Sequence, residues 1–140
     1  MLPNLDYERR LQALERFMRE IRGDRGAIEP TVWTPTWTGL TITGAPTYTG
    51  RYTRTGRLIF CEVFITANGG TTASTLNTTY INNLPFANNA NTMPTVDAVN
   101  NGTGVNLGKG YVAGSALTRA FTPTWAASGN DIAISFWYTT

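Results

Sequence analysis

Two hydrophobic periods divide the chain. From Leu5 to Arg22, LDYERRLQALERFMREIR, apolar residues fall at Tyr7, Leu11, Leu14, Met18 and Ile21, in alternating steps of four and three. That spacing lays them on one stripe of a 3.5-period helix, with Tyr7, Leu14 and Ile21 at d and Leu11 and Met18 at a. Asn4 stands where a cap belongs, Asp6 and Glu8 fall in the positive first turn, and Arg19 and Arg22 lie near the negative end. Asp6 with Arg10 and Glu15 with Arg19 are acid-then-base pairs four apart, and Gly23 is the natural stop. A helix of roughly 27 Å is marginal alone in water, so its stripe needs a partner surface. The partner is either the same stripe on other copies or the chain's own sheets; Phe17, flanking the seam, keeps the second open.

Beyond Pro30 the period becomes two. Gly23 to Pro30 reads as a linker, and Thr31 to Pro35 as extended chain, because the residue before a proline is pushed towards β. Trp37, Leu40 and Ile42 sit among threonines, whose branched Cβ favours strands. Tyr48 to Ala67 reads as two strands around Arg54-Thr55-Gly56-Arg57. The second, Leu58 to Thr66, is apolar on both faces, with Leu58, Phe60 and Phe64 on one and Ile59, Cys61, Val63 and Ile65 on the other. A strand dry on both sides belongs in the middle of a sandwich or at a subunit contact. Glu62 on the Phe60 face then needs a partner, for which Arg51, Arg54 and Arg119 are the candidates.

Asn68-Gly69-Gly70 marks a tight turn. Further strands are expected at Thr75 to Ile81, Thr95 to Val99, Val105 with Leu107, Tyr111 to Ala113, Ala116 to Thr122, and Asp131 to Thr139, the last with Ile132, Ile134, Phe136 and Tyr138 on one face. Many short strands with regular turns and no second helix make the chain mostly β. The expected architecture is a short coiled-coil-like helical segment and linker at 1–29, then an antiparallel β-sandwich or jelly-roll knob at 30–140.

Composition narrows the chemistry. There are 140 residues, a formal charge of +2 and no histidine. The charges crowd into the helical segment, and the body is rich in Thr, Asn and Gly. Near-neutral balance gives no global electrostatic case for nucleic acid or an anionic membrane. The absence of histidine removes the commonest general base and zinc ligand. Body carboxylates are Glu62, Asp97 and Asp131, far apart in sequence and without the spacing that would announce a hydrolase pair. Cys61, the single cysteine, sits among apolar strand residues and reads as an inert buried thiol. Gly102 to Gly110 fails as a phosphate loop, since Thr103 stands where a glycine belongs and Gly110 where a hydroxyl should follow Lys109; it reads as a loop between strands. No catalytic residue, cofactor or metal is expected. The start, MLPNLDYERR, lacks a basic region followed by an apolar run, so no secretion signal is expected, and no stretch approaches a membrane span.

Arg51, Arg54 and Arg57, interleaved with Tyr48 and Tyr52, suit stacking on a single strand of nucleic acid. The blander reading, a solvated hairpin tip with one arginine on Glu62, is favoured because no other basic stripe extends them. They are retained as candidate partner- or receptor-binding side chains. Trp33, Trp37, Trp125 and Trp137 suit sugar stacking, but tryptophans more often anchor cores and interfaces.

Three pieces in order carry a resemblance: Trp33-Thr-Pro35-Thr-Trp37-Thr-Gly39-Leu40, then Gly50-Arg-Tyr52-Thr-Arg54-Thr-Gly56-Arg57 with its apolar strand, then Asn83-Leu84-Pro85-Phe86. This succession resembles the β-sandwich knob domains of fibre-like and decorating proteins of tailed bacteriophages, over Val32 to Phe86 and the terminal aromatic strand. Thr55 departs from it, standing where such sequences often carry an aliphatic residue. The resemblance implies a homotrimer with an N-terminal helix or coiled coil leading into the knob, and Tyr7, Leu11, Leu14, Met18 and Ile21 as its oligomerisation residues. It also implies a non-enzymatic place on the virion surface after synthesis in the host cytoplasm. The partners would be other copies and the major capsid protein or another virion protein, with no nucleic acid and no membrane. Because the short helix starts the chain without a long shaft, a capsid cement or head-fibre decoration is expected first. The alternative is a tail-fibre tip whose loops at Asn88 to Asn91 and Asn100 to Gly110 grip a host surface glycan.

Overall fold

The structure, a computed structural model, describes residues 3–24, 29–89 and 92–140, with side chains of 3–5 and 20–24 outside that description. The capping side chain of Asn4, the Ile21 side chain, and parts of the 23–30 linker and the 88–91 loop therefore lie outside the described residues. The chain is mostly β, with one N-terminal helix. Helix α1 runs Pro3–Asp24, two residues beyond the expected span at each end, with proline in the first turn, where a missing N–H costs nothing.

The strands in chain order are β1 (Thr31–Trp33), β2 (Trp37–Thr38), β3 (Thr41–Thr43), β4 (Thr47–Thr55), β5 (Leu58–Thr66), β6 (Thr71–Ser74), β7 (Tyr80–Ile81), β8 (Thr95–Asn100), β9 (Val105–Val112), β10 (Ala120–Phe121), β11 (Trp125–Ser128) and β12 (Ile132–Thr139). They form antiparallel sheets, one in the order β1-β4-β5-β12-β8-β9-β10-β7-β2 and one in the order β11-β6-β3. Chain connectivity forces the large sheet to curl. Its two edge strands, β1 and β2, are joined through Thr34, Pro35 and Thr36 alone. Four peptide steps reach at most about 14 Å, whereas the edges of a flat nine-stranded sheet would stand roughly 38 Å apart. The sheet therefore folds over on itself in a sandwich-like form.

Its concave side holds the core. Ile59, Cys61, Val63 and Ile65 of β5 face it with Ile132, Ile134, Phe136 and Tyr138 of β12, joined by Val96, Ala98, Val112, Ala120, Ile81, Leu84 and, from the small sheet, Trp125. The Trp125 indole N–H donates to the Thr72 carbonyl at 3.1 Å. The alternation expected for Asp131 to Thr139 is present as Ile132–Thr139. The second apolar face expected for Leu58 to Thr66 is not dry: Phe60 is 50% and Phe64 37% exposed, and Glu62 is exposed with them. Among the described residues, no second layer covers the large sheet on that side.

Other strand boundaries also differ. The strand expected at Thr75 to Ile81 is reduced to its last two residues, β7, and β6 lies wholly upstream of it. Between them Thr79 turns the chain, its N–H donating to the Thr75 carbonyl at 2.9 Å and its hydroxyl accepting from the Thr75 N–H at 3.0 Å. Threonine side chains here compete with the ladder. Ala116 to Thr122 shortens to β10, because Ser115 and Ala116 adopt φ of 63° and 61°. Val105 to Val112 is one strand rather than two pieces, with a register shift opposite Ala98 and Val99 that leaves Leu107 as the extra, bulged residue, packed against the core.

Candidate functional site

Helix α1 presents its stripe to solvent. Tyr7 is 68% exposed, Leu11 43%, Leu14 55% and Met18 48%, with Phe17 at 59% beside them. Every described side chain from Asp6 to Arg19 is exposed. The chain's own sheets do not cover the described part of the seam, which leaves the apolar stripe of an amphipathic helix in water.

In the body, the three segments that carry the family resemblance meet. Asn83 clamps the sharp β1–β2 connection: its Oδ1 accepts from the Thr36 N–H at 2.6 Å and its Nδ2 donates to the Thr34 carbonyl at 2.9 Å. The Trp33 ring lies on Gly50, where any Cβ would strike it, and stands edge-on to Tyr52 at 6.1 Å. Trp37 meets Tyr48 at 6.0 Å. Tyr52 meets Phe86 edge-on at 5.6 Å, and the Phe86 N–H donates to the Tyr138 hydroxyl at 3.2 Å. Trp33, Trp37 and Trp125 are thus packing anchors, while Trp137 is 48% exposed.

Behind that cluster lies Cys61. Burial pushes its thiol from 9.0 up to about 12, against the opposing pull of a hydrogen bond with Tyr138. Burial, with Cys61 beside it, likewise holds the Tyr138 phenol well above its usual range. Between pH about 9 and about 12 the unfolded chain gives up the thiol proton while the folded chain keeps it. Stability is therefore expected to fall as pH rises through this window, with a slope approaching about 1.4 kcal/mol per pH unit for Cys61 alone. Tyr138 acts in the same direction from about pH 10. Urea unfolding should show a flat midpoint from pH 6 to 8 and a steep decline above 9; a midpoint unchanged to pH 11 would mean the thiol ionises freely in the fold.

The three candidate arginines do not converge. Arg54 stacks over Phe86 at 4.7 Å and its Nε donates to the Gly56 carbonyl. The Arg57 Nε donates to the Thr140 carbonyl at 2.6 Å, tying the hairpin turn to the terminal strand. Arg51 is exposed on the outer, convex face, opposite Glu62 in register. Tyr48 and Tyr52 point away from it towards the tryptophans, so no stacking ladder for a nucleic acid strand assembles. Arg119, another candidate for Glu62, lies over Tyr80 instead, at 5.1 Å.

Strand register assembles a different feature on that outer face. Arg51, Glu62, Ser135, Asp97 and Lys109 form one row across β4, β5, β12, β8 and β9. Lys109 closes on Asp97 at 3.4 Å, the ion pair found within 4 Å among the described residues. One rung away, Phe60 pairs with Trp137; on the other side, Phe64 pairs with Ala133 and Ala133 with Val99. An open groove of about 650 Å³ runs beside the row, lined by Pro30, Arg51, Phe60, Glu62, Asp97 and Trp137 among others. Glu62 and Asp97 flank Ser135 on an open surface.

In the loops assigned to a glycan, the side chains of Asn88 and Asn100 are tied to the fold, while 101–106 is exposed. Asn88 is fully buried, donating from Nδ2 to the carbonyls of Thr92 and Ala113. The Asn100 Oδ1 accepts from the N–H groups of Gly102 and Thr103, and 105–110 belongs to β9. Among the described residues no three of Cys, Asp and Glu gather as a metal site, and no helix is long and apolar enough to cross a membrane. Compared with protein-family models, curated proteins and solved structures, the chain matches none.

Proposed function

We propose that this chain is a non-enzymatic structural protein of a bacteriophage virion, a homotrimeric cement or head-fibre decoration whose helices bundle beneath three knobs. The observation that carries the reading is the seam of α1, apolar at Tyr7, Leu11, Leu14 and Met18 and uncovered by its own chain. Two and a half heptads are too few to hold a coiled coil unaided, but knobs that associate would hold the helices at high effective concentration. The virion placement rests on the resemblance of the Trp-Pro, Gly-Tyr and Leu-Pro-Phe segments to phage knobs. Action is passive: the base fills a gap between shell subunits, and contact with several of them resists expansion of the shell. A Thr- and Asn-rich surface with few charges loses little attachment to salt screening.

The test pairs sedimentation of the full chain with rebinding to phage shells that lack it. Expected are a particle of three times the 15.3 kDa chain mass and saturable binding at a copy number tied to shell symmetry. A monomer at micromolar concentration would overturn the trimer. Labelling of host cells with no binding to shells would overturn the placement in favour of a receptor-binding tip.

A further inference from the structure

The large sheet carries apolar residues on the side where a lone sandwich should be polar. Of the large hydrophobic residues exposed in the body, Val32, Phe60, Phe64 and Trp137 lie on this one face, on β5 and β12 side by side and on β1 across β4 from them. Between β1 and β5, the outward positions of β4 are threonines apart from Arg51. We propose that this outer face is a second self-association surface, covered by another copy of the same chain. The inference rests on the trimer reading and deepens it, since it names the knob surface that holds the helices together.

Three observations select a second copy. The first is size. Six adjacent strands, β1 to β9 in sheet order, span about 24 Å, and the nine residues of β5 run about 30 Å. The footprint is on the order of 700 Å², close to the roughly 800 Å² per partner of a standard stable interface.

The second is continuity with the helical seam. Pro30 lines the groove on this face, and six peptide steps separate it from the end of α1 at Asp24, a reach of at most about 21 Å. Copies joined through their helices bring this edge of each knob near the others, at effective concentrations in the millimolar range for short tethers.

The third is charge. Arg51, Glu62, Asp97 and Lys109 sum to zero, so a partner of a single sign, such as nucleic acid, gains nothing overall. Arg51 and Glu62 face each other in register without closing an ion pair. A second copy presents both signs and can satisfy each. Phe60 and Trp137 beside Glu62 and Asp97 would also suit one sugar ring, but the apolar positions run on to Val32, Phe64, Ala133 and Val99, a breadth that fits a protein surface.

The test uses the full chain. Phe60→Thr with Trp137→Thr removes exposed aromatic surface and keeps strand-favouring residues. The concentration at which the trimer dissociates, read by sedimentation, is expected to rise at least tenfold, with far-ultraviolet circular dichroism unchanged. In the unmodified trimer, hydroxyl-radical labelling should spare Phe60 and Trp137 relative to exposed Ile42 on the other sheet, and that protection should vanish on dilution. A trimer that dissociates at the same concentration with and without the two aromatics overturns the inference and leaves the trimer standing. So does a trimer in which Phe60 and Trp137 label as strongly as Ile42, or in which only an added glycan protects them. A monomeric wild-type chain overturns both.

Discussion

Gly110→Ala is expected to destabilise the fold by about 3 kcal/mol or more, lowering the melting temperature by roughly 10 °C. A Cβ at this position of β9 would run into the backbone of the Phe121–Thr122 segment, meeting the carbonyl group of Phe121 and the carbonyl carbon of Thr122. Neither can rotate away as a side chain would, so β9 and β10 must separate. That movement disturbs the pairs Ala120 with Val112 and Phe121 with Tyr111, and with them the stacked rings of Tyr111 and Phe121, whose centroids lie 4.8 Å apart. The direction is informative, because glycine-to-alanine changes at unhindered sites stabilise by about 0.4–1 kcal/mol through the unfolded state. Gly129→Ala serves as the control: its nearest neighbour would be the Gly70 carbonyl oxygen at 3.8 Å, an ordinary contact. Thermal melts of both variants should move in opposite directions, or Gly110 down and Gly129 flat. Equal melting temperatures would mean that the two strands do not approach as closely as described.

Gly110 also marks where the sequence stops being readable. Its neighbourhood, Gly102 to Gly110, has the composition of a loop, and nothing local reveals that Phe121 crosses directly above it. A glycine kept for close backbone approach looks the same in sequence as one kept for a turn. By contrast, β12 is legible because it alternates strongly enough to put Ile132, Ile134, Phe136 and Tyr138 on one face without knowledge of any partner, whereas β5, apolar on both sides, does not say which side turns inward. The short strands β6 and β11, four residues each, left no such signal, and the hydroxyl bonds of Thr79 decide where the ladder breaks. Strand parity alone separates Arg51 from Arg54, three positions apart and therefore on opposite faces, so their dispersal was within reach of the sequence. The row from Arg51 to Lys109 was not, because it draws one residue from each of five strands whose register only the fold determines. What covers an apolar face is likewise invisible in sequence. Phe60 and Phe64 announce that the outer side of β5 avoids water without saying whether the cover belongs to the same chain.

Leu14→Lys is expected to abolish assembly while leaving the knob as stable as before. In the single chain Leu14 is 55% exposed, and a surface substitution of this kind shifts unfolding by no more than about 0.5 kcal/mol. In a three-helix bundle the same residue is a d-position knob. Burying one leucine is worth about 1.5–3 kcal/mol, so three copies contribute on the order of 5–9 kcal/mol to the trimer, more than a thousandfold in its formation constant. Three lysines at one level add mutual repulsion in place of that gain. Sedimentation should therefore find the variant dissociated at concentrations where the wild type is trimeric, with urea unfolding of the knob unchanged. Arg16→Lys, a residue off the a/d stripe, should change neither measurement. If Leu14→Lys instead leaves the trimer intact, the helices do not meet one another. The outer face of β5 and β12 would then hold the copies together by itself, and the seam of α1 would be free to dock on the particle that the knob decorates.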